Sequence, residues 1–496
     1  MLAPYSIAAD LASTATGKGA ALVGFIQSGT GAVSRTVQDK ERETVSVKDF
    51  GAVGDGVTDD TSSLQAAITY ASTSNRVLIV DDGNYLISSG LTSTGTLIMR
   101  ARGKLGATLT TSSDITMFTG EVSKLYGIVF SHQGNSGSCV VVSGDKATIE
   151  DCYFSPSTSN TSTAVVLTGS NESVDRCGFT SRNSNAFCID VMYTGSICIN
   201  NRIFGCIMYG TGKGIRFSSS VSGGRPEGTS ILDNKIILTG QEHILFNTCL
   251  SVSVIGNVID QASLYAIHMS PSGPGIDGLM VQGNYIATAS SPTTGNGMGI
   301  STGTGGVRGL SITGNMFSYC GYGVAVDSQV SMATIANNYF DVIDGISIKV
   351  EQSNNVTVSG NVLRGSVAHL SLVDGASGGP ISVIGNQLDP AGSIVYTPTN
   401  TFNFNFEGNQ GIKLSGPSTA TVNVTTGTNT FVNVPHGLVS APDAGKVRIS
   451  TSLAGGALNN PTAIVSSIDS TNIVVNLFWS GIVTAGNIRV NAVASI

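Results

Sequence analysis

An asparagine recurs at nearly constant spacing through the middle of this chain. It lies in a short pattern: an apolar residue, two further residues, Asn, one residue and a second apolar residue. Clear copies centre on Asn257, Asn284, Asn315, Asn338, Asn361 and Asn386, and looser copies on Asn201, Asn234 and Asn409. Upstream, the same position holds Cys177, Cys152 and Ile128. Most steps between these positions are 23 to 25 residues, and such a period predicts a solenoid.

The segments between the asparagines predict β-strands. They are short apolar runs with a period of 2, and they lack the 3.6-residue periodicity of helical solenoids. Stacked strands lie about 4.8 Å apart, so an Asn at each turn can bond the turns above and below it. Leucine-rich repeats also carry a periodic Asn, but their LxxLxL pattern is missing. The sequence therefore predicts a parallel β-helix, right-handed by the general crossover preference.

Composition narrows the class of protein further. The 496 residues carry a net charge of −7, and 41% are hydrophobic. This excludes intrinsic disorder and argues against nucleic acid as a partner, since phosphate binding needs clustered Lys and Arg. No apolar stretch approaches 18 residues and the N-terminus lacks a standard secretory signal, so no membrane insertion is expected. The eight cysteines form no CxxC pair, and we expect buried thiols with no metal and no cofactor.

Both ends of the chain differ from the repeat array. Residues 58–74 predict a helix, capped by Asp59, Asp60 or Thr61, that would plug the open end of the solenoid. Residues 1–45 are predicted to be a tether or adaptor, and residues 46–410 the β-helix with its groove. Residues 411–496 lack the Asn repeat and predict a separate β-sandwich-like domain.

A second strand pattern, small–apolar–x–apolar, follows each Asn turn and predicts which residues face outward. Strict alternation places one outward column at Arg216, Leu245, His268, Ala325 and Ser347. The next outward column reads Ser218, Asn247, Ser270, Asp327 and Lys349. Because these columns mix charged and amide side chains, we predict that this face is the working surface.

Two overlong coils indicate where a groove would lie. The steps from 201 to 234 and from 284 to 315 are the longest, and their extra residues fall near 218–230 and 286–297. Such insertions project beside a binding face. Between these predicted walls lie Glu242, His243, Asp260, Tyr265 and His268.

These residues supply the chemistry of a glycosidase, which needs two carboxyl groups near the scissile bond. We predict Glu242 and Asp260 as the carboxylate pair. His268 would flank it, and Arg216, His243, Tyr265 and Asn247 would contact the substrate. The competing interpretation is a solvated Glu, a turn Asp and two surface histidines.

A second candidate cluster lies further along the chain. Asp327 and Asp344 form an alternative catalytic pair, with Asp341 nearby and Lys349 as a substrate contact beside Asp327. The competing interpretation is an Asp327–Lys349 surface pair with turn-forming aspartates. We expect structural roles for His132, His369, His436 and Trp479.

The segment Ser46–Ile68, SVKDFGAVGDGVTDDTSSLQAAI, resembles the N-terminal motif of the pectate-lyase-like superfamily. With the short N-terminal piece, the β-helix and the β-rich C-terminal part, it resembles bacteriophage tailspike depolymerases. The resemblance implies a homotrimer made in the host cytoplasm and located in the virion tail. The N-terminus would join a tail or baseplate adaptor, and the C-terminal domain would trimerise or contact glycan.

The resemblance also implies cleavage of a bacterial capsule, exopolysaccharide or O-antigen. It does not give the reaction, because this fold hosts several chemistries. Hydrolysis is the first expectation. Lyase chemistry at a uronic acid, with His268, Tyr265 and Arg216, and a non-cleaving receptor-binding fibre stay open.

Overall fold

The structure is a computed structural model. It describes residues 6–180, 182–288, 296–300, 303–326, 330–351, 353–366, 368–373 and 380–389. Beyond these it describes residue 409 and the backbone of eight strands between 393 and 494. Asp327, His436 and Trp479 lie outside the described residues.

The chain winds into a right-handed parallel β-helix built from three long sheets, as the repeat predicts. Each coil contributes, in chain order, a strand to sheet 1, to sheet 2 and to sheet 3. The strands of sheet 1 are Thr44–Ser46, Val77–Val80, Ile98–Ala101, Lys124–Tyr126, Thr148–Glu150, Ser173–Asp175, Arg202–Phe204, Ser230–Leu232, Cys249–Leu250, Ser253–Ile255, Ile276–Asp277, Met280–Gln282, Val307–Thr313, Val330–Ala336, Asn354–Ser359, Ile381–Ile384 and Phe404–Glu407.

Sheets 2 and 3 complete each coil. The strands of sheet 2 are Asp55–Asp59, Gly83–Leu86, Ala107–Thr111, Ile128–His132, Tyr153–Pro156, Gly178–Phe179, Ile207–Gly210, Lys235–Leu238, Val258–Ala262, Tyr285–Thr288, Met316–Ser318, Tyr339–Asp341, Val362–Leu363 and Gln387–Leu388. Those of sheet 3 are Leu91–Ser93, Phe118–Glu121, Val140–Ser143, Val165–Leu167, Phe187–Tyr193, Lys213–Ser219, Glu242–Phe246, Tyr265–Met269, Asn296–Ile300, Tyr322–Val326, Ile346–Glu351, Ala368–Val373 and Ser393–Thr397.

The interior of the coil is filled by stacked apolar side chains. Equivalent residues of successive coils pair in register, so their rings lie over one another: Phe130 and Phe154 are 5.3 Å apart between ring centroids, and Phe154 and Phe179 are 4.9 Å apart. All eight cysteines are free and buried, which confirms the expectation of buried thiols. Within the described part of the chain, no group of three or more His, Cys, Asp or Glu is arranged to hold a metal ion.

The predicted Asn ladder is present at the corner between sheets 1 and 2, with one correction. The eight buried members are Asn234, Asn257, Asn284, Asn315, Asn338, Asn361, Asn386 and Asn409. In each pair the Oδ1 of the later Asn accepts the backbone N–H and the Nδ2 of the earlier one, for example Asn234 to Asn257 at 2.9 and 3.0 Å. The ladder bonds therefore satisfy buried backbone groups at every turn.

Asn201 was wrongly included in this ladder. It precedes the sheet 1 strand Arg202–Phe204, whereas the ladder position of that coil is Cys206, whose N–H donates to Asn234 Oδ1 at 2.9 Å. Asn201 instead lies at the corner between sheets 3 and 1, where its Oδ1 accepts the N–H of Glu172 at 2.8 Å. With Cys206 in place, the 33-residue step disappears, and the coils on either side of Cys206 span 29 and 28 residues.

The N-terminal residues form short elements before the first coil. They are a helix at Ser6–Leu11, a 3₁₀ turn at Gly19–Leu22, the antiparallel strands Gly24–Phe25 and Arg35–Thr36, a helix at Val37–Glu41 and a 3₁₀ turn at Val47–Phe50. The longest helix, Thr61–Ser74, begins after the strand Asp55–Asp59 and buries Leu64, Ala67, Ile68 and Ala71. That it plugs the solenoid stays a prediction.

Within the Ser46–Ile68 motif, Asp60 organises the loop that precedes the helix. Its carboxylate accepts the backbone N–H groups of Val53 and Gly54 at 2.6 and 3.0 Å. Gly54 has a φ of +71° and its Cα lies against the ring of Tyr85, so a Cβ there would meet the ring at 2.9 Å. The motif is thus a backbone turn held by one buried carboxylate.

After the last coil the described strands are antiparallel. They form one sheet of Gly416–Val424, Gly486–Ala494 and Arg448–Leu453 and another of Thr430–Pro435, Asn472–Phe478 and Thr462–Ile468. The sandwich arrangement and the division into three domains stay predictions. No helix among the described residues is long and apolar enough to span a membrane.

Candidate functional site on the outer face of sheet 3

Charged side chains collect on the outer face of sheet 3, over four consecutive strands. We define the sheet 3 cluster as Asp190, Lys213, Arg216, Glu242, Tyr265 and His268. In-register pairing brings them together: Asp190 lies beside Arg216, Glu242 lies beside Tyr265, and His268 lies beside Leu245.

Strict alternation fails at the start of these strands, and this decides which residues face the site. Two consecutive positions point inward, as the complete burial of both His243 and Ile244 shows. The preceding position therefore faces outward, which brings Glu242 into the cluster. The inward position is crowded against the neighbouring strand: a Cβ at Gly214 would lie 2.2 Å from the carbonyl oxygen of His243. The glycine at position 214 has this steric cause, whereas in the next strand His243 fills the same inward position.

Glu242 is the centre of the cluster. Its Oε2 lies 2.6 Å from Lys213 Nζ, and its Oε1 lies 3.5 Å from His268 Nδ1. Burial would raise the pKa of Glu242, but the hydrogen bonds from His268 and Lys213 outweigh burial and hold this pKa below its ordinary value. Glu242 is therefore an ionised carboxylate at neutral pH.

Tyr265 and His268 form an aromatic wall beside Glu242. Their rings are stacked with centroids 4.0 Å apart and planes within 9°. This stacking orients the imidazole with its Nδ1 toward Glu242. The arrangement can pass a proton between an imidazole and a carboxylate at the surface of the coil.

A second ion pair extends the cluster by one strand. Arg216 donates to Asp190 Oδ2 from Nε at 3.0 Å and from Nη2 at 2.5 Å, and Ser218 Oγ donates to Asp190 Oδ1 at 2.8 Å. Asp190 is fully buried, and burial raises its pKa, although Arg216 and Ser218 partly offset this. The guanidinium also lies 5.0 Å over the ring of Phe187, so Arg216 is held on two sides.

Sequence reasoning missed Lys213 and Asp190. The segment from Cys188 to Val191, CIDV, fits the small–apolar–x–apolar pattern, and extending the pattern one coil earlier would have placed Asp190 beside Arg216. Lys213 precedes that pattern by one residue, the same position that Glu242 occupies in its own strand. The signal was present at both sites.

Several predicted site residues lie elsewhere. His243 is inside the coil, where its Nε2 bonds the carbonyl of Leu238 at 2.7 Å and burial lowers its pKa to about 4, so it does not reach a surface ligand. Asp260 is in sheet 2, opposite Ile237, and its Oδ1 accepts the N–H of Gln261 at 2.7 Å. The structure does not join Asp260 to Glu242 by any described hydrogen bond or ion pair.

The second candidate cluster also needs a correction of register. Lys349 pairs in register with Ala325, so it belongs to the Arg216 and His268 column, and Ser347 is inside the coil. Lys349 Nζ lies 2.8 Å from Glu351 Oε1. Asp344 is exposed before the strand Ile346–Glu351, and its backbone N–H donates to the carbonyl of Cys320. His369, expected to be structural, is fully buried in the equivalent position to His243.

The first predicted wall borders a small cleft at the end of sheet 3. Residues 219–224, with Thr248 and Ser272–Pro274, line a space of about 210 Å³. Asn247 lies beside Thr248 at the end of the strand that begins with Glu242. Most of the second segment, 289–295, lies outside the described residues.

Comparisons with known proteins agree with this architecture. A family model described as "Rhamnogalacturonase A/epimerase, pectate lyase-like" matches residues 44–238. The tailspike protein of E. coli bacteriophage HK620 in complex with pentasaccharide superposes with a TM-score of 0.54 at 15% identity, covering 99% of this chain and 100% of that one. Tailspike protein 3 of bacteriophage CBA120 gives a TM-score of 0.51 at 16% identity, covering 79% of this chain and 65% of that one.

The chain has a right-handed parallel β-helix fold, which these two tailspike proteins share. The β-helix fold that the Ser46–Ile68 motif implies is thereby confirmed, and the family match includes this motif.

Sequence relatives match shorter segments. The tail spike protein of Shigella phage Sf6 is 37% identical over 93 residues, 18% of this chain and 15% of that protein. A glucan 1,3-beta-glucosidase of Cochliobolus carbonum is 47% identical over 45 residues, 9% of this chain and 6% of that protein. The chain thus matches only a small part of the length of these two curated relatives.

Proposed function

We propose that this tailspike-type β-helix binds and cleaves a bacterial surface polysaccharide on the outer face of sheet 3. The observation that carries the proposal is the buried Lys213–Glu242 ion pair with His268 beside it, on the outside of the coil. Taking two charges out of water costs several kcal/mol per ion unless geometry and hydrogen bonds compensate, so such clusters mark functional sites more often than chance. The saccharide complexes of HK620 tailspike, which shares the fold, support the substrate class.

We infer that the reaction is endo-glycosidic hydrolysis. Glu242, ionised and held by Lys213, is suited to accept a proton from the attacking water. His268 in its protonated form is suited to donate a proton to the leaving oxygen, and Tyr265 keeps the imidazole in place. The carboxylate of Asp190 accepts hydrogen bonds from Arg216 and Ser218, so we assign Asp190 to positioning Arg216.

Lyase chemistry is the second candidate, and the pairing of Tyr265 with His268 favours it. β-Elimination at a uronic acid needs a base for the C5 proton and a cation beside the sugar carboxylate. His268 or Tyr265 would serve as base, and Lys213 or Arg216 as cation. This route does not require the second free carboxyl group that a standard glycosidase uses.

The test is incubation of the purified chain with a panel of capsular, exopolysaccharide and O-antigen polysaccharides. We expect one of them to shorten by size-exclusion chromatography, with new reducing ends and no new ultraviolet absorbance. Shortening with absorbance from a new C=C bond would assign the lyase route. Binding without shortening would indicate a receptor-binding fibre, and absence of binding across the panel contradicts the proposal.

A further inference from the structure

One position in the outer column of sheet 3 that contains His268 has no side chain. Among the described members of this column, which runs from Thr92 to Ser371, Gly299 is the only glycine. Gly299 pairs in register with His268 on one side and with Ala325 on the other. The gap therefore lies directly beside the imidazole of the proposed site.

The backbone does not explain this glycine. Gly299 lies within the strand Asn296–Ile300, and its φ is outside the left-handed region in which glycine is favoured. Met298 and Ile300 on either side of it are buried inside the coil, so position 299 faces outward as His268 does. Glycine inside a strand is less favourable than a residue with a side chain, because it loses more backbone freedom on folding. Its presence here has another cause.

The cause is the ring of Tyr265. A Cβ added to Gly299 would lie 2.5 Å from Cε1 of Tyr265 and 2.9 Å from its Cδ1, whereas carbon atoms in contact are about 3.5–4.0 Å apart. The ring therefore fills the space that a side chain at position 299 would occupy. From there it stacks on the imidazole of His268, with centroids 4.0 Å apart, close to the spacing of about 4.8 Å between neighbouring strands.

We propose that Gly299 is a positioning residue, which holds His268 in place by leaving room for the Tyr265 ring. Leu245 is the in-register neighbour of His268 on the preceding strand, and the Tyr265 ring replaces the missing neighbour on the following one. The imidazole is thus flanked on both sides, with Nδ1 3.5 Å from Glu242 Oε1. The effect on cleavage rests on the proposed function, but the placement of the ring does not.

Gly299→Ala should disturb the site without removing any of its polar groups. The methyl group forces the ring of Tyr265 to move by about 1 Å to reach an ordinary contact distance. A misplacement of this size lowers the rate of an enzyme even when the substituted residue is remote from the chemistry. We therefore expect kcat to fall by roughly 10- to 10²-fold, with KM almost unchanged because no polar group is lost.

The imidazole signal of His268 in proton NMR tests the placement of the ring without any substrate. A stacked aromatic ring shifts the signals of protons that lie over its face, and the signal missing from His268→Gln identifies this residue. Gly299→Ala should move the signal toward its position in Tyr265→Ala. Gly95→Ala is the matched control, because a Cβ there would lie 3.9 Å from the nearest atom, the carbonyl oxygen of Ser72, and should leave the signal unchanged.

Cleavage kinetics test the route through Tyr265. In the unaltered chain Gly299→Ala should lower kcat, but in the Tyr265→Ala background the same change should have no further effect, since no ring remains to be displaced. An unchanged imidazole signal in folded Gly299→Ala overturns the proposal, and so does an equal loss of kcat in both backgrounds. A shifted signal with unchanged kcat would uphold the ring placement and contradict His268 as the acid of the proposed reaction.

Circular dichroism shows whether each variant keeps the coil. If Gly299→Ala does not fold, the double variant with Tyr265→Ala decides: a folded double variant supports the proposal, because removing the ring relieves the clash. A double variant that also fails to fold overturns the proposal, since position 299 would then require glycine for the coil itself.

Discussion

Lys213 and Glu242 lie on adjacent strands of sheet 3 with Nζ 2.6 Å from Oε2, and both side chains are almost nine-tenths buried although they belong to the outside of the coil. Of the two ion pairs in the proposed site, this is the one in which both partners are largely buried. It determines both the protonation state of Glu242 and how the site should respond to substitution.

Glu242→Gln should lower the rate of polysaccharide cleavage by about 10²–10⁴, the usual effect of losing a general base. The amide keeps the shape of the side chain but cannot accept a proton. The rate of reducing-end release measures the effect. Because the variant leaves Lys213 without its buried partner, the melting temperature should fall, and circular dichroism at the assay temperature shows that the coil is intact. Asp260→Asn is the control, since Asp260 lies in sheet 2. If Asp260→Asn abolishes cleavage and Glu242→Gln does not, the site assignment is wrong.

Lys213→Met should move the acid limb of the pH–rate profile to higher pH. Lys213 lowers the pKa of Glu242, so its removal lets burial raise that pKa and the active ionised form appears only at higher pH. Rates measured across the acidic range detect the shift. Lys349→Met, which breaks the pair with Glu351, should leave the limb in place. An unchanged limb in Lys213→Met would exclude ionised Glu242 as the base.

The buried carboxyl group of Glu172 should make the folded chain less stable as pH rises. It is fully buried, and only its Oε2 is described with a partner, the N–H of Gly169 at 2.9 Å. Burial raises its pKa from 4.5 to about 8, so between these values the folded chain holds a proton that the unfolded chain has lost. The free energy of unfolding should therefore fall by about 1.4 kcal/mol per pH unit in that window from this group alone.

Glu172→Gln removes this contribution, because the amide does not titrate. Urea denaturation at several pH values should show a flatter dependence for this variant than for the unaltered chain. Glu227→Gln, at an exposed position, should retain the original slope. Equal slopes for all three proteins would show that Glu172 does not carry a proton in the folded state.

The Asn ladder should be costly to interrupt. Asn315 accepts the N–H and the Nδ2 of Asn284 and donates to Val281 O at 2.9 Å and to Asn338 Oδ1 at 3.0 Å. Asn315→Ala leaves these buried groups without partners, at about 1–3 kcal/mol for each orphaned group. Chemical denaturation should show a loss of several kcal/mol, against little change for Asn84→Ala at an exposed position. A loss below about 1 kcal/mol would mean that water replaces the ladder bonds.

The coil could be predicted from the sequence because its period is carried by buried residues. The Asn positions from Asn234 onward needed no tertiary information, since each repeats one backbone requirement. Asn201 was misplaced because two corners of the coil accept an Asn, and only the strand that follows distinguishes them. Cys206 occupies the ladder position of that coil, but it has no side-chain amide, so the Asn repeat did not reveal it.

The site was harder to predict because it depends on which side of a strand each residue faces. A pattern of period 2 does not reveal two consecutive inward residues, so His243 was expected outside. A single sequence also does not show which strands pair between coils. Glu242 and Asp260 are close along the chain, 18 residues apart, but Glu242 belongs to sheet 3 and Asp260 to sheet 2. Lys213 reaches Glu242 from 29 residues away because their strands are neighbours.

The ladder bonds between asparagines all point the same way. The donors belong to the earlier coil and the acceptor Oδ1 to the later one, from Asn234 through to Asn409. Without the following coil, the last Asn of the ladder would therefore have a backbone N–H and a side-chain N–H with no acceptor from the ladder. The same Oδ1 of the next coil accepts both hydrogen bonds, so each further coil must place an acceptor at this corner. The ladder therefore has a chemical polarity that runs from the N-terminal coils to the C-terminal coils.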